Sequence, residues 1–260
     1  MNDITTARAI FITGAASGIG LETARRFAAK GWRVGLCDRN EAPLAKVQEE
    51  LGEPAQSFVA DVLDAGGLAT AIAAFAEASH GKLDVLFNCA GILDMRTFAD
   101  TPLEKLHAVM DVNVNGVVNG IHAALPFLRK APDARIITMS SAASIYGLPE
   151  HAIYCASKFA VRGLTEGLNI ELEAEGIWVC DIMVAYVKTP MVLAADHPSK
   201  TIELLGVNVT PEQVAETVEK AVNGKQVHWL VTEGDEQFAA LFAQTAWEDR
   251  PALARQITGY

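Results

Sequence analysis

The sequence predicts a single α/β domain whose core is a doubly wound, parallel sheet of seven strands with helices on both faces. Two observations predict this fold class. Short apolar runs of strand length alternate with longer segments in which apolar residues recur at helical spacing. The first apolar run passes into the first helical segment through a glycine-rich turn, a junction typical of open α/β sheets.

Composition narrows the class of protein further. The chain has 260 residues, of which 50% are hydrophobic and 20% charged, so we expect one sizeable core. Lys and Arg total 21 against 32 Asp and Glu, and the net charge of −11 opposes binding to nucleic acid. No apolar run reaches the ~18 residues that cross a bilayer and no secretory signal is recognisable, which predicts a cytoplasmic protein without a membrane partner. The 4 cysteines lack the spacing of a metal site, so no metal is predicted.

Seven short apolar runs are predicted to form the sheet. In chain order they span residues 8–13, 32–37, 56–60, 83–87, 135–139, 177–184 and 227–231. Helical patterns separate successive runs, and such crossover connections favour parallel pairing. After the last strand, residues 235–260 contain two short helical patterns and are interpreted as a C-terminal extension of the same domain.

The glycine turn after the first strand predicts a site for a phosphate group. Backbone N–H groups at Gly14, Ser17, Gly18, Ile19 and Gly20 precede or begin a helix, whose positive dipole end attracts a diphosphate. The spacing is neither GxGxxG nor that of a P-loop. A turn of this kind also occurs as a purely structural feature, so the assignment depends on the rest of the chain.

Asp38 directly follows the second predicted strand and lies 18 residues after Gly20. An acidic side chain here accepts hydrogen bonds from both ribose hydroxyls of an adenosine and repels a 2′-phosphate, which predicts NAD as the cofactor. Arg39 leaves NADP open as an alternative, because a guanidinium can pair with a 2′-phosphate.

The segment from residue 135 to 160 combines a strand, a polar turn and a helix. Tyr154 and Lys158 lie four positions apart on one helix face, and Ser141 follows the end of the strand. A free phenol has a pKa of about 10, and a nearby cation favours its ionised form, so Tyr154 is a candidate general acid/base. Taken alone, a Tyr and a Lys at this spacing also occur on ordinary exposed helices.

Together, these segments resemble the short-chain dehydrogenase/reductase family over nearly the whole chain. Residues 13–20 resemble its TGxxxGxG turn, and Asn113 begins its NxxG motif. Residues 88–91 resemble NNAG, with Cys89 in place of the second Asn. Residues 184–190 resemble PGxVxTP, with Val184 and Ala185 in place of the Pro and Gly. Ser141, Tyr154 and Lys158 match the catalytic set.

The resemblance implies a Rossmann-like sheet in the order 3-2-1-4-5-6-7 and a role for each matching residue. Tyr154 would be the general acid/base, Ser141 would hold the substrate oxygen, Lys158 would lower the pKa of the phenol and bind the nicotinamide ribose, and Asn113 would complete a proton path. The further cofactor contacts implied by the resemblance are Asp61 and Val62 at the adenine, Asn88, Ala90 and Gly91 around the adenosine, and Val187 and Thr189 near the nicotinamide.

The expected function is NAD-dependent interconversion of a secondary alcohol and a ketone, within one catalytic domain spanning residues 1–260. Residues 190–210 occupy the position of the family's substrate lid, and its apolar character favours a hydrophobic substrate. A homodimer or homotetramer is expected through the apolar helix that ends near residue 128. His151 and His197 are each interpreted as isolated surface histidines.

The sequence leaves two alternatives open. One is an NADP-dependent carbonyl reductase. The other is a dinucleotide-binding sensor or scaffold without turnover, which the Val184-Ala185 departure favours and the intact Ser, Tyr and Lys set opposes.

Overall fold

The computed structural model describes residues 7–260 and confirms the predicted parallel α/β fold. Its strands are β1 Ala9–Thr13, β2 Arg33–Asp38, β3 Ala55–Val59, β4 Val85–Asn88, β5 Ala134–Met139, β6 Ile177–Met183 and β7 His228–Leu230. They form one sheet in the order β3-β2-β1-β4-β5-β6-β7, with every adjacent pair parallel. The change of direction between β1 and β4 opens a crevice at the carboxyl ends of the strands.

Helices cover both faces of this sheet. They are α1 Gly18–Ala29, α2 Glu41–Leu51, α3 Ala65–Ala78, α4 Leu103–Met110, α5 Gly116–Leu128, α6 Ala152–Glu173, α7 Pro190–Leu193, α8 Lys200–Leu205, α9 Pro211–Asn223, α10 Glu233–Gln244 and α11 Arg250–Thr258. One face packs against α1, α2 and α9, and the other against α3, α5 and α6. Because strands inside such a sandwich bury both faces, β1 is buried along its whole length, as a continuous apolar run predicts.

A π-helical turn, Asp111–Asn115, separates α4 from α5. Just beyond it, a Cβ atom at Gly116 would lie 2.7 Å from Val62 Cγ2, and one at Gly120 would lie 2.5 Å from Asn88 Oδ1. Glycine at these positions therefore lets α5 lie directly against the segment that follows β3 and against the end of β4. The π-helical turn directs the Asn113 side chain towards Ile92, in the segment after β4.

The C-terminal extension contacts the segment that follows β6 through the start of α10. Asp235, near the start of α10, accepts a hydrogen bond from Ala185 N at 3.0 Å.

At the start of α9, Thr210 and Gln213 form the capping box that their spacing predicts. Among residues 7–260 no helix is long and apolar enough to span a membrane.

Candidate active site

A cavity of about 290 Å³ opens at the carboxyl ends of the strands and brings together most of the predicted site residues. The predicted residues that line it are Gly14, Ser17, Gly18, Ile19, Gly20, Asp38, Asp61, Val62, Ala90, Gly91, Ser141, Tyr154, Lys158, Val187 and Thr189. They lie at the ends of six different strands or in the segments that follow them, so a single ligand in the cavity would contact parts of the chain that are distant in sequence.

The glycine turn forms a narrow cradle at one end of this cavity. Gly14 and Gly18 have φ angles of 70° and 54°, which side chains of L-amino acids disfavour. A Cβ atom at Gly20 would lie 2.2 Å from Gly14 O, so the start of α1 can pack onto the turn only without a side chain. Thr13 Oγ1 accepts hydrogen bonds from Cys89 N at 3.1 Å and Ala90 N at 3.2 Å, which holds the segment after β4 beside the turn.

Asp38 forms the wall of the cavity next to the cradle. One of its carboxylate oxygens accepts a hydrogen bond from Ala16 N at 3.2 Å, and the other accepts bonds from the backbone and side-chain nitrogens of Asn40. The carboxylate is thus oriented by the turn and retains lone pairs for further donors. Arg39 is exposed and lines the same end of the cavity.

Ser141, Tyr154 and Lys158 line the opposite end. Lys158 is 5% exposed, and its Nζ donates a hydrogen bond to Met139 O at 2.7 Å. The same Nζ lies 5.5 Å from the centroid of the Tyr154 ring. Ser141 Oγ accepts a hydrogen bond from Ala143 N at 3.1 Å, which fixes the hydroxyl at the end of β5.

The pKa of Tyr154 differs from the sequence-based expectation. Removal from water raises it above its ordinary value, and hydrogen bonding with Ser141 only partly offsets the rise. The Lys158 ammonium group donates to a backbone carbonyl, and the lowering of the phenol pKa by this cation stays a prediction. Burial also lowers the pKa of Lys158, to about 8.

Asn88 and Asn113 are the two predicted site residues that do not line the cavity. Asn113 Nδ2 donates hydrogen bonds to Ile92 O and Ser157 Oγ, and its Oδ1 accepts one from Ile92 N at 2.9 Å. The amide therefore links the segment after β4 to α6. All of these hydrogen bonds hold the two segments in position relative to each other. Asn88 is buried at the end of β4, where its Oδ1 would lie 2.5 Å from a Cβ atom at Gly120.

His151 and Tyr186 also line the cavity, although neither was predicted to lie there. His151 was expected at the surface, but it is 2% exposed and lines the cavity. Its Nε2 lies 3.2 Å from the hydroxyl of Tyr186, which also lines the cavity. The available signal was the position of His151 three residues before Tyr154, which places both side chains on one side of the start of α6. His197 is exposed, as expected.

Residues 8–200 match the protein-family model described as short chain dehydrogenase. The chain belongs to the short-chain dehydrogenase/reductase family. It is 34% identical over 221 residues to the oxidoreductase UcpA of Salmonella typhimurium, which covers 84% of this chain and 81% of UcpA. An uncharacterized oxidoreductase of Staphylococcus saprophyticus is 30% identical over 228 residues, covering 86% of this chain and 92% of the relative.

Solved structures of short-chain dehydrogenases/reductases are similar in fold. A 3-ketoacyl-(acyl-carrier-protein) reductase from Brucella melitensis, complexed with NADH, superimposes with a TM-score of 0.80 at 27% identity over 89% of this chain and 99% of that chain. A short-chain dehydrogenase from Streptomyces avermitilis gives 0.79 at 21% identity over 98% and 99%, respectively, and supports the fold alone.

The cradle fits the nicotinamide dinucleotide that short-chain dehydrogenases/reductases use. Gly14, Gly18 and Gly20 leave the backbone uncovered where a diphosphate would meet the start of α1. The Ser140 hydroxyl lies at the other end of the cavity, buried and without a hydrogen-bond partner among residues 7–260. A buried polar atom of this kind is consistent with a ligand as its partner.

Gly20→Ala tests the cradle. The added methyl group would collide with Gly14 O, so we expect the affinity for NADH to fall by at least about tenfold. Fluorescence titration with NADH measures this. Gly147→Ala is the matched control, because a Cβ atom there meets nothing within 4 Å. Equal affinities of the two variants would contradict the proposed position of the cofactor.

Proposed function

We propose that this oxidoreductase interconverts a secondary alcohol and a ketone with NAD as its cofactor. The observation that supports the proposal best is the pairing of Ser141, Tyr154 and Lys158 at one end of a cavity with the glycine cradle and Asp38 at the other. This arrangement would hold the nicotinamide end of the cofactor beside the Tyr154 and Ser141 hydroxyls.

Each side chain has a task in this reaction. The bound cofactor supplies or accepts the hydride. Ser141 Oγ donates a hydrogen bond to the carbonyl oxygen, where negative charge develops during reduction. Tyr154 donates the proton to that oxygen, and in the reverse direction it accepts the proton from the alcohol.

Tyr154 carries the proton that ketone reduction requires. A phenol is neutral at ordinary pH, and burial raises the pKa of Tyr154 further. Lys158 has a pKa of about 8, so at neutral pH it is a buried cation that would hold the hydroxyls of the nicotinamide ribose. Asn113 would contribute to the predicted proton path indirectly, because its hydrogen bonds hold Ile92 and α6 in position beside the site.

The substrate is proposed to be neutral and largely apolar. The wall between Tyr154 and α8 is formed mainly by apolar side chains, among them Tyr146, Leu148, Val184 and Leu205. Within residues 7–260, Lys158 is the only Lys, Arg, Asp or Glu side chain that lines this end. A substrate carboxylate or phosphate would find no cation beyond the catalytic centre.

NAD is preferred over NADP because the carboxylate of Asp38 is oriented into the cavity by Ala16 and Asn40. An NADP-dependent carbonyl reductase remains the second candidate, since the exposed Arg39 lines the same end. A sensor or scaffold without turnover is less favoured, because such a protein has no need for a buried ammonium beside a phenol.

The location and assembly of the protein are further parts of the proposal. We propose a cytoplasmic homodimer or homotetramer. Val118 on α5 and Phe159 and Ile170 on α6 are exposed apolar side chains, and Ile170 is 77% exposed. An apolar contact between subunits would remove this surface from water.

Tyr154→Phe tests the chemistry. The variant keeps the ring but loses the proton donor, so we expect NADH affinity to stay within about twofold and turnover to fall by at least about a hundredfold. Turnover is measured with a panel of ketones as the loss of NADH absorbance. Tyr260→Phe, at an exposed position, is the matched control. Turnover by Tyr154→Phe at the wild-type rate would refute the assignment.

Asp38→Asn tests the choice of cofactor. Wild type is expected to bind NADH at least about tenfold more tightly than NADPH, a difference of about 1.4 kcal/mol. Loss of the charge should narrow this ratio, because repulsion of the 2′-phosphate disappears. Parallel fluorescence titrations measure both constants, with Asp249→Asn, at an exposed position, as the control. Tighter binding of NADPH by wild type would favour the NADP-dependent candidate.

A further inference from the structure

We propose that His228, on the last strand β7, is a positioning residue that holds the turn of Ser141 against the catalytic helix α6. It acts through two side chains of α6, Glu166 and Arg162. The inference rests on the proposed function, since it concerns how the catalytic side chains of that reaction are held together. His228 does not line the cavity, so any effect on the reaction has to pass through other side chains.

The helix α6 carries a row of polar side chains four positions apart. At this spacing they lie along one side of the helix, in the order Tyr154, Lys158, Arg162 and Glu166. The first two line the cavity, and the other two continue the row away from it. A shift or rotation of α6 would move all four together, so contacts made by the outer pair also set the position of the catalytic pair.

Arg162 joins this row to the turn that follows β5. Its Nη1 donates a hydrogen bond to Ser144 O at 3.4 Å. Ser144 in turn donates to Ser141 O, from its backbone nitrogen at 3.0 Å and from its hydroxyl at 2.7 Å. The guanidinium of Arg162 therefore links α6 to the short turn in which Ser141 is fixed.

Glu166 and His228 fix the orientation of this guanidinium. Glu166 Oε1 accepts hydrogen bonds from Arg162 Nε at 2.9 Å and from His228 Nε2 at 3.1 Å. The Arg162 side chain is 38% exposed, and an exposed Arg–Glu pair at this helical spacing is weak by itself. The bond from His228 gives Glu166 a second anchor on a different element. Because the guanidinium is planar, holding its Nε also sets the direction of Nη1 towards Ser144 O.

A buried carboxylate holds His228 from the other side. Asp181 on β6 is fully buried, and its Oδ1 accepts a hydrogen bond from His228 Nδ1 at 2.8 Å. The parallel pairing of β6 and β7 makes the two residues direct neighbours in the sheet. Asp181 Oδ2 has no hydrogen-bond partner among residues 7–260, so within this part of the chain His228 compensates the buried charge.

His228 thus bridges two carboxyl groups, one at each ring nitrogen. Ionised carboxylates only accept, so both contacts need a hydrogen, and the His228–Asp181 pair carries one proton more than a neutral imidazole beside a carboxylate. Burial by itself lowers the pKa of His228, but the hydrogen bond and the charge of Asp181 outweigh it and raise this pKa above its ordinary value. The other charged groups near the ring are Glu166 and Arg162. The bridge therefore consists of charge-assisted hydrogen bonds, which are stronger than neutral ones.

The bridge is tested first without turnover. In nitrogen NMR spectra of the wild type with NADH at neutral pH, both ring nitrogens of His228 are expected to carry a hydrogen. His228→Gln should make the Arg162 Nε hydrogen exchange with water at least about threefold faster, the scale of one lost hydrogen bond. His107→Gln, at an exposed position of α4, is the matched control and should leave this exchange unchanged. A His228 ring with a single hydrogen, or unchanged exchange in His228→Gln, would overturn the proposal.

A double-mutant cycle on turnover tests the route from His228 to the catalytic groups. His228→Gln and Arg162→Gln are each expected to lower kcat for ketone reduction about three- to tenfold, because the Ser141 turn and α6 lose their fixed relation. The affinity for NADH should stay within about twofold, since Lys158 keeps its own bond to Met139 O. The double variant should lose no more than Arg162→Gln alone, because both substitutions break the same route.

The outcomes separate positioning from a purely structural role. Losses of kcat that multiply in the double variant, or a loss of NADH affinity as large as the loss of kcat, would each overturn the proposal. Arg129→Gln breaks another exposed Arg–Glu pair, with Glu175, and is the matched control that should leave kcat unchanged. A wild type that reduces no ketone would overturn the proposed function and the role of His228 with it. Wild-type kcat in His228→Gln would overturn the role of His228 alone.

Discussion

The two hydrogen bonds accepted by Thr13 Oγ1 hold the halves of the site together. Thr13 is the last residue of the central strand β1, and its partners, Cys89 N and Ala90 N, begin the segment after β4. Across this junction a Cβ atom at Gly14 would lie 2.9 Å from Ala90, so the two segments are as close as backbone allows. This contact holds the cradle beside the segment after β4, which forms part of the cavity wall.

At the same edge of the sheet, two ionisable side chains, Lys158 and Tyr154, are buried at a cost in free energy. Lys158 is a nearly fully buried cation whose ammonium group is bonded to Met139 O. Burial of such a charge costs free energy, and the cost appears as a pKa lowered to about 8. The nearby phenol is affected in the opposite direction, because burial disfavours its anion. Proteins retain unfavourable groups of this kind mainly where they serve a reaction.

Sequence reasoning predicted the elements well and the interactions between them less well. The seven strands were predicted because each reads as a short apolar run bounded by turns, and β1, β4 and β5 are buried along their whole length. The glycines of the first turn were predicted as a functional turn. Their φ angles and the close contacts around them exclude residues with a side chain. Helix spacing predicted that Lys158 lies near Tyr154, but it could not show that the ammonium group donates to Met139 O or that burial raises the pKa of the phenol. His151 was missed because its partner Tyr186 follows β6, and only the folded chain brings the two together.

The crystal structure of the complex with NADH tests the central claim most directly. If one cavity serves both binding and chemistry, the adenosine ribose will lie within about 3 Å of the Asp38 carboxylate, and the nicotinamide ribose will be bonded to Lys158. The nicotinamide ring will then lie beside the hydroxyls of Ser141 and Tyr154. A dinucleotide bound outside this cavity, or with its nicotinamide away from Tyr154, would contradict the account.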